Sequence, residues 1–269
     1  MDLAAYFARI GYGGPATATL DTLRALQALH PAAIPFEDLD PFLGRPVPLD
    51  LAALERKLIG ARRGGYCFEQ NMIFSTVLRR LGFAVADLAG RVVWGRDPDD
   101  PAAPRTHRLM SVAVDGATWL ADVGFGGYLI DAPLRLEAGL AQTTPTGRWR
   151  LTEAEGRWTL EAGVQDEWRP AYRFTHEAQA AIDYELANWY TATHPHSRFR
   201  NNLLLERLTP AWRATLFNRQ LTHRYPDGRT ETRELADAAA LGAVLEAVFD
   251  IAPPAPAAAI FARLPLRRA

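Results

Sequence analysis

The chain changes its hydrophobic period twice, and those changes divide it. Over residues 17–29 leucines recur at positions 20, 23, 26 and 29, close to the spacing that lines one face of a helix. Residues 49–59 are predicted to form a second helix, with Asp50 as N-cap and Leu51, Leu54 and Leu58 on one side; Gly60 stops it. Between them lies the proline-rich stretch 30–48, read as a loop that carries residues 34–39 as an ordered connection. A third helix is predicted from Cys67 to Leu81, with Phe68, Met72, Ile73, Leu78 and Leu81 as its apolar stripe and Gly82 at its end.

From residue 84 the period changes. Segments 85–94, 106–114 and 118–123 read as strands rich in β-branched residues, the last two joined by the hairpin signal Asp115-Gly116. Shorter strands are predicted near 129–136, 147–152, 157–162 and 170–174, a succession that suggests an antiparallel barrel or a curved sheet. Residues 177–190 return to helical spacing. Segments 216–225 and 229–235 then flank a Pro226-Asp227-Gly228 turn, and a helix over 237–248 begins at Asp237 and is broken off by Pro253, Pro254 and Pro256. The expected class is α+β, in three parts: helical 1–83, strand-rich 84–190 and mixed 191–269.

Composition narrows the function. The net charge of −1 is wrong for a nucleic-acid binder, which needs a basic excess to neutralise phosphates. Lys57 is the only lysine among 30 basic residues; with alanine also abundant, this reads as compositional bias. A single cysteine excludes an internal disulfide and a cysteine-rich zinc site. The N-terminal residues show no signal-peptide pattern and no run approaches a membrane span, so the expectation is a cytosolic protein without membrane association.

That one cysteine sits where a nucleophile belongs. In Arg62-Arg63-Gly64-Gly65-Tyr66-Cys67 a Gly-Gly turn leads straight into a helix whose first residue is the thiol. Free amides and the helix dipole favour a thiolate there, and the glycines let a ligand carbonyl approach the backbone. A thiolate nucleophile needs a base, and the base an orienting group. Of six histidines, His107 opens a strongly patterned strand, and Asp122 ends the next one, fifteen residues on. Folding about the Asp115-Gly116 turn brings the two roughly opposite each other. His194 and His196 stand close together but lack a liganding cluster, so no metal is expected. His30, His176 and His223 are isolated, and Gly124-Phe125-Gly126-Gly127 lacks the context of a phosphate loop.

Four blocks together resemble the arylamine N-acetyltransferase family: Ile34-Pro35-Phe36-Glu37-Asp38-Leu39; Arg63-Gly64-Gly65-Tyr66-Cys67-Phe68-Glu69-Gln70-Asn71; Thr106-His107-Arg108-Leu109; and Asp122-Val123-Gly124-Phe125-Gly126. Residues 194–199 extend the likeness more loosely. The resemblance implies an N-terminal helical bundle, a central antiparallel β-barrel and a C-terminal α/β lid around a cysteine-protease-like core. It implies a Cys67, His107, Asp122 triad, an aromatic amine pocket including Phe36 and Phe125, and an Arg63–Glu37 pair bracing the nucleophile loop. It further implies acetyl-CoA as co-substrate, contacted near Thr106, after the proline-rich segment 98–104, and near Gly126, Ser197 and Phe199. Acceptors would be small arylamines or hydrazines, with transfer by a ping-pong route through an acetyl-cysteine. The same three side chains also suit a hydrolase or a transglutaminase-type acyltransferase, and a binding protein with a structural cysteine is the non-catalytic alternative.

Overall fold

The computed structural model describes residues 1–97, 100–101 and 103–265. The chain opens with α1 (Leu3–Ile10) and α2 (Leu20–Ala33), capped by Asp2 and Thr19, whose side chains accept the amides of Ala5 and Thr22. A two-residue strand, β1 (Phe36–Glu37), and a short helix, α3 (Leu39–Phe42), follow. Next comes α4 (Leu51–Leu54), which runs without a break into a π-helical stretch, Glu55–Gly60. The nucleophile-bearing segment is α5 (Cys67–Arg80).

Eight antiparallel strands come next: β2 (Ala84–Val92), β3 (His107–Val114), β4 (Ala117–Ala121), β5 (Leu134–Arg135), β6 (Ala141–Thr144), β7 (Gly147–Ala154), β8 (Arg157–Val164) and β9 (Glu167–Phe174). Their spatial order is β5-β4-β3-β2-β9-β8-β7-β6. The edges nearly close into a barrel through one side chain: Gln142 on β6 accepts the Arg135 amide of β5 at 2.7 Å and returns a bond to its carbonyl at 3.0 Å. Beyond the barrel lie α6 (Ala181–Thr193) and α7 (Arg198–Asn201), then β10 (Leu204–Leu208), β11 (Arg213–Phe217), β12 (Gln220–Arg224) and β13 (Thr230–Glu234), and finally α8 (Ala238–Ala247) and α9 (Ala257–Ala262). The class is α+β.

Three departures from the sequence reading have physical causes. The loop read over 30–48 contains β1, because Phe36 and Glu37 hydrogen-bond with Glu206 and Leu205 of β10, far away in the chain. The single strand read over 216–225 is a hairpin, turned at Asn218, whose positive φ of 54° reverses the chain without glycine. β10 and β6 carry no isolated period-two signal and exist through their partners.

β3 shows how the helices and the barrel share one element. It is buried on both faces. Leu109 points into the barrel with Leu120, Trp149, Leu160 and Tyr172, while Met110 and Val112 face outward onto Tyr6, Leu23, Phe74 and Val77. Each such side chain removed from water contributes roughly 1.5–3 kcal/mol, so this outer face anchors α5 firmly to β3.

Beneath that contact runs a buried polar relay. The Tyr6 hydroxyl donates to His30 Nδ1 (2.8 Å), and His30 Nε2 donates to Gln70 Oε1 (2.6 Å). The Gln70 amide nitrogen donates to the carbonyls of Ile34 and Pro35 (3.2 and 2.8 Å). The relay ties α1, α2 and the approach to β1 onto α5, three residues beyond Cys67. It requires a neutral imidazole, and burial holds His30 down at about 4.

His30 therefore makes stability acid-sensitive. Its folded-state pKa lies below the unfolded value, so the unfolded chain takes up the proton first, and stability is lost as pH falls from about 6.5 to about 4. The expected loss from this group is about 3 kcal/mol. Denaturant midpoints measured across that window should fall steeply in the wild type, and His30→Gln should give a flatter but lower curve.

Candidate active site

The helix start at Cys67 is built by glycine and by carboxylates. Gly64 packs so tightly that a β-carbon there would overlap the Pro35 carbonyl oxygen, which fixes the turn against the strand that carries Phe36. Arg63 pairs with Glu37 at 2.6 Å and with Asp40 at 3.1 Å, both buried, so the turn is also held by charge from the β1–α3 segment. Glu69 reaches back to the Tyr66 amide at 3.1 Å, closing the first turn of α5. Cys67 is 4% exposed at the head of this helix, and its sulfur lies 3.5 Å from the Thr106 carbonyl oxygen.

His107 comes from the first residue of β3 and Asp122 from just beyond the end of β4. The Asp115-Gly116 hairpin forms as read, with both residues at positive φ (50° and 73°). Its register pairs Met110 with Ala121, so Asp122 is a diagonal rather than a direct neighbour of His107. The diagonal keeps both side chains on the barrel-interior face. The result is a 2.7 Å contact between His107 Nε2 and Asp122 Oδ2, at 2% and 0% exposure.

Asp122 is saturated. Oδ2 accepts from His107 and from the Tyr172 hydroxyl (3.0 Å); Oδ1 accepts from Asn71 Nδ2 (2.8 Å) and the Gly124 amide (2.9 Å). Four donors on one carboxylate match its lone-pair capacity. Burial pushes this carboxyl up, but the His107 charge and the bonds from His107, Asn71 and Gly124 outweigh it and hold Asp122 below its ordinary range. For His107 burial acts downward; the Asp122 charge, the hydrogen bond to it and the neighbouring Cys67 raise the imidazole to about 10. The histidine is thus cationic at neutral pH, with Nε2 committed to Asp122.

A cleft of about 350 Å³ opens over these groups. Phe36, Cys67, Thr106, His107, Phe125, Gly126, Ser197 and Phe199 all line it, while Asp122 lies behind His107. The Phe125 ring meets His107 edge-on at 5.4 Å, and Phe199 lies 6.0 Å from Phe36. Gly126 has a steric role: a β-carbon there would run into the Phe36 ring. The Ser197 hydroxyl is turned away onto the Thr191 carbonyl. Of the segment 98–104, residues Pro98, Asp99 and Ala102 lie outside the described residues; Pro104 lines the cleft. Among the described residues, no group of three or more His, Cys, Asp and Glu side chains could hold a metal ion, and no helix is long and apolar enough to cross a membrane.

Several residues at the site escaped the sequence reading. Tyr172 reaches Asp122 from β9, fifty positions away, with no local mark. Glu206, fully buried on β10, pairs with Arg213 and accepts the amides of Gly127 and Leu129. It pins the Phe125–Gly126 turn to the C-terminal sheet. Asn71 stood inside the recognised block, and its spacing of four from Cys67, one helical turn, was the available signal. Trp94, Arg96 and His196 also line the cleft.

The His107–Asp122 pair gives a directional prediction. A raised imidazole contributes stability that is full below about 6.5 and lost as pH rises through about 10. Asp122→Asn removes the charge that opposes burial, so His107 should drop below 6.5 and turn neutral at pH 7. Histidine NMR titration should show His107 without a step between about pH 5 and 8 in the wild type. An unaltered His107 titration in Asp122→Asn would refute the assignment of the shift to Asp122.

The N-acetyltransferase family model matches residues 19–256. The arylamine N-acetyltransferase of Escherichia coli is 46% identical over 247 residues, which cover 91% of this chain and 87% of that protein. The corresponding Mycolicibacterium smegmatis enzyme is 47% identical over 235 residues, 86% and 85% of the two chains. The structure of an arylamine N-acetyltransferase from Mycobacterium marinum in complex with CoA superposes with a TM-score of 0.92 at 40% identity, covering 97% of this chain and 98% of that one. The chain belongs to the arylamine N-acetyltransferase family of acyltransferases.

Proposed function

We propose that the chain moves the acetyl group of acetyl-CoA onto small arylamines and hydrazines in two steps, through an acetyl group carried by Cys67. The observation that carries this reading is His107, held at 2.7 Å by buried Asp122 and sharing the wall of an aromatic cleft with the chain's one thiol.

The Cys67 thiolate attacks the thioester carbonyl, and backbone N–H groups at the head of α5, that of Cys67 among them, receive the oxyanion. Collapse expels the CoA thiolate, which takes the proton of the His107 imidazolium. CoA departs and the amine enters. Its nitrogen attacks the acetyl carbonyl, the now neutral His107 accepts the amine proton, and Cys67 leaves as thiolate. Asp122 holds the ring and stabilises its cation in both directions. Phe36 and Phe125 offer aromatic faces to a flat amine. Thr106, Gly126, Ser197 and Phe199 are the proposed CoA contacts; for Ser197, whose hydroxyl is engaged, the contact is through its backbone. The C-terminal sheet and its helices limit water at the acetylated sulfur. A lone, reactive thiol suits a reducing compartment, and residence in the cytosol is part of this reading.

Acetyl-CoA without acceptor should add one acetyl mass, mapping to Cys67. Continued turnover with no adduct on Cys67 would end the mechanism, as would transfer from amide or peptide donors in place of acetyl-CoA. Initial rates at several amine concentrations should give parallel double-reciprocal lines. Phe125→Ala should slow acetylation of the amine more than acetylation of Cys67, read by rapid mixing. Intersecting lines, with amine needed before CoA is released, would require a ternary complex instead.

A further inference from the structure

We propose that Lys57 is a positioning residue for Cys67: its ion pair with one oxygen of Glu69 holds the carboxylate whose other oxygen fixes the Tyr66 amide at the turn that presents the thiol. The proposal rests on the reading of Cys67 as nucleophile.

Of the chain's 30 lysine and arginine side chains, this is the one lysine. Lys57 lies in the π-helical stretch, largely buried, with Nζ 2.6 Å from Asp40 Oδ2 and 2.6 Å from Glu69 Oε1. The compact ammonium bridges these two carboxylates, while Arg63 takes the same Asp40 oxygen at 3.1 Å. Glu69 is 1% exposed, and its other oxygen, Oε2, accepts the Tyr66 amide. The same carboxylate packs over the Gly64-Gly65 turn so closely that a β-carbon at Gly65 would lie 2.7 Å from Oε2.

The charges around Glu69 come from four elements: Glu37 on β1, Asp40 on α3, Lys57 on the π-helical stretch and Arg63 on the loop before α5. With Glu69 itself they make three carboxylates against two cations. Burial pushes Glu69 up to about 7; Lys57 opposes that rise, and Glu37 and Asp40 reinforce it. Loss of Lys57 leaves Glu69 protonated at neutral pH. The bond to Tyr66 then loses its charge assistance, and the turn its fixed geometry.

The test follows alkylation of Cys67 by iodoacetamide against pH, in the intact protein. As the chain's only cysteine, Cys67 reports directly and without acetyl transfer, so failure of the acetyl-cysteine route and failure of this proposal remain distinguishable. The wild-type rate should step down as pH falls through about 7. In Lys57→Met the midpoint should move up by at least about one pH unit, giving a rate about tenfold lower at pH 7 that recovers by about pH 9. In Glu69→Gln, which still accepts the Tyr66 amide, the step should vanish. A purely structural Lys57 would lower the rate equally at every pH, and that result would overturn the proposal. Should Lys57→Met fail to fold, Glu69→Gln decides alone: a step that persists near pH 7 overturns the proposal.

Discussion

A carboxylate with no exposure must find a partner for each lone pair or give up its charge. Asp122 keeps its charge, and the partners it needs come from separate parts of the chain: Asn71 on α5, His107 on β3, Gly124 on the following turn and Tyr172 on β9. Placing those donors within 3.0 Å of two oxygens requires the barrel to be formed and α5 to be docked on its outer wall. Fold and site are therefore one constraint. The interior face of β3 delivers His107 while its outer face holds the helix that begins with Cys67.

A second set of constraints acts on the other side of the thiol. The Gly64-Gly65 turn is pressed between the Pro35 carbonyl, the Glu37–Arg63 pair and the carboxylate of Glu69. Further along, Glu206 and Arg213 draw residues 127–129 onto the C-terminal sheet, while β1 pairs with β10 in that same sheet. The cleft thus has one wall from the helices, one from the barrel and one from the last third of the chain.

What the sequence revealed follows from how local each signal is. Asp115-Gly116 between two strand patterns is a short-range hairpin signal, so the pairing of His107 with Asp122 could be read, though the register placed them diagonally. The head of α5 could be read because Gly-Gly followed by an apolar stripe is a short-range pattern. Tyr172, Glu206 and β1 could not, because their contacts to the site come from partners at least fifty positions away. His30 looked isolated because its partners, Tyr6 and Gln70, lie 24 and 40 positions away along the chain. Lys57 was visible as a singular residue, but composition alone offers no ground for separating a placed lysine from a rare one.

That singular lysine has a consequence for the protein as a chemical reagent. Its amine is clamped between two carboxylates. Guanidinium groups, which make up the rest of the cationic surface, do not accept acyl groups under ordinary conditions. An acyl donor diffusing over this molecule therefore meets no free ε-amine. Outside the cleft, an acyl group therefore has no free lysine side chain to be lost to.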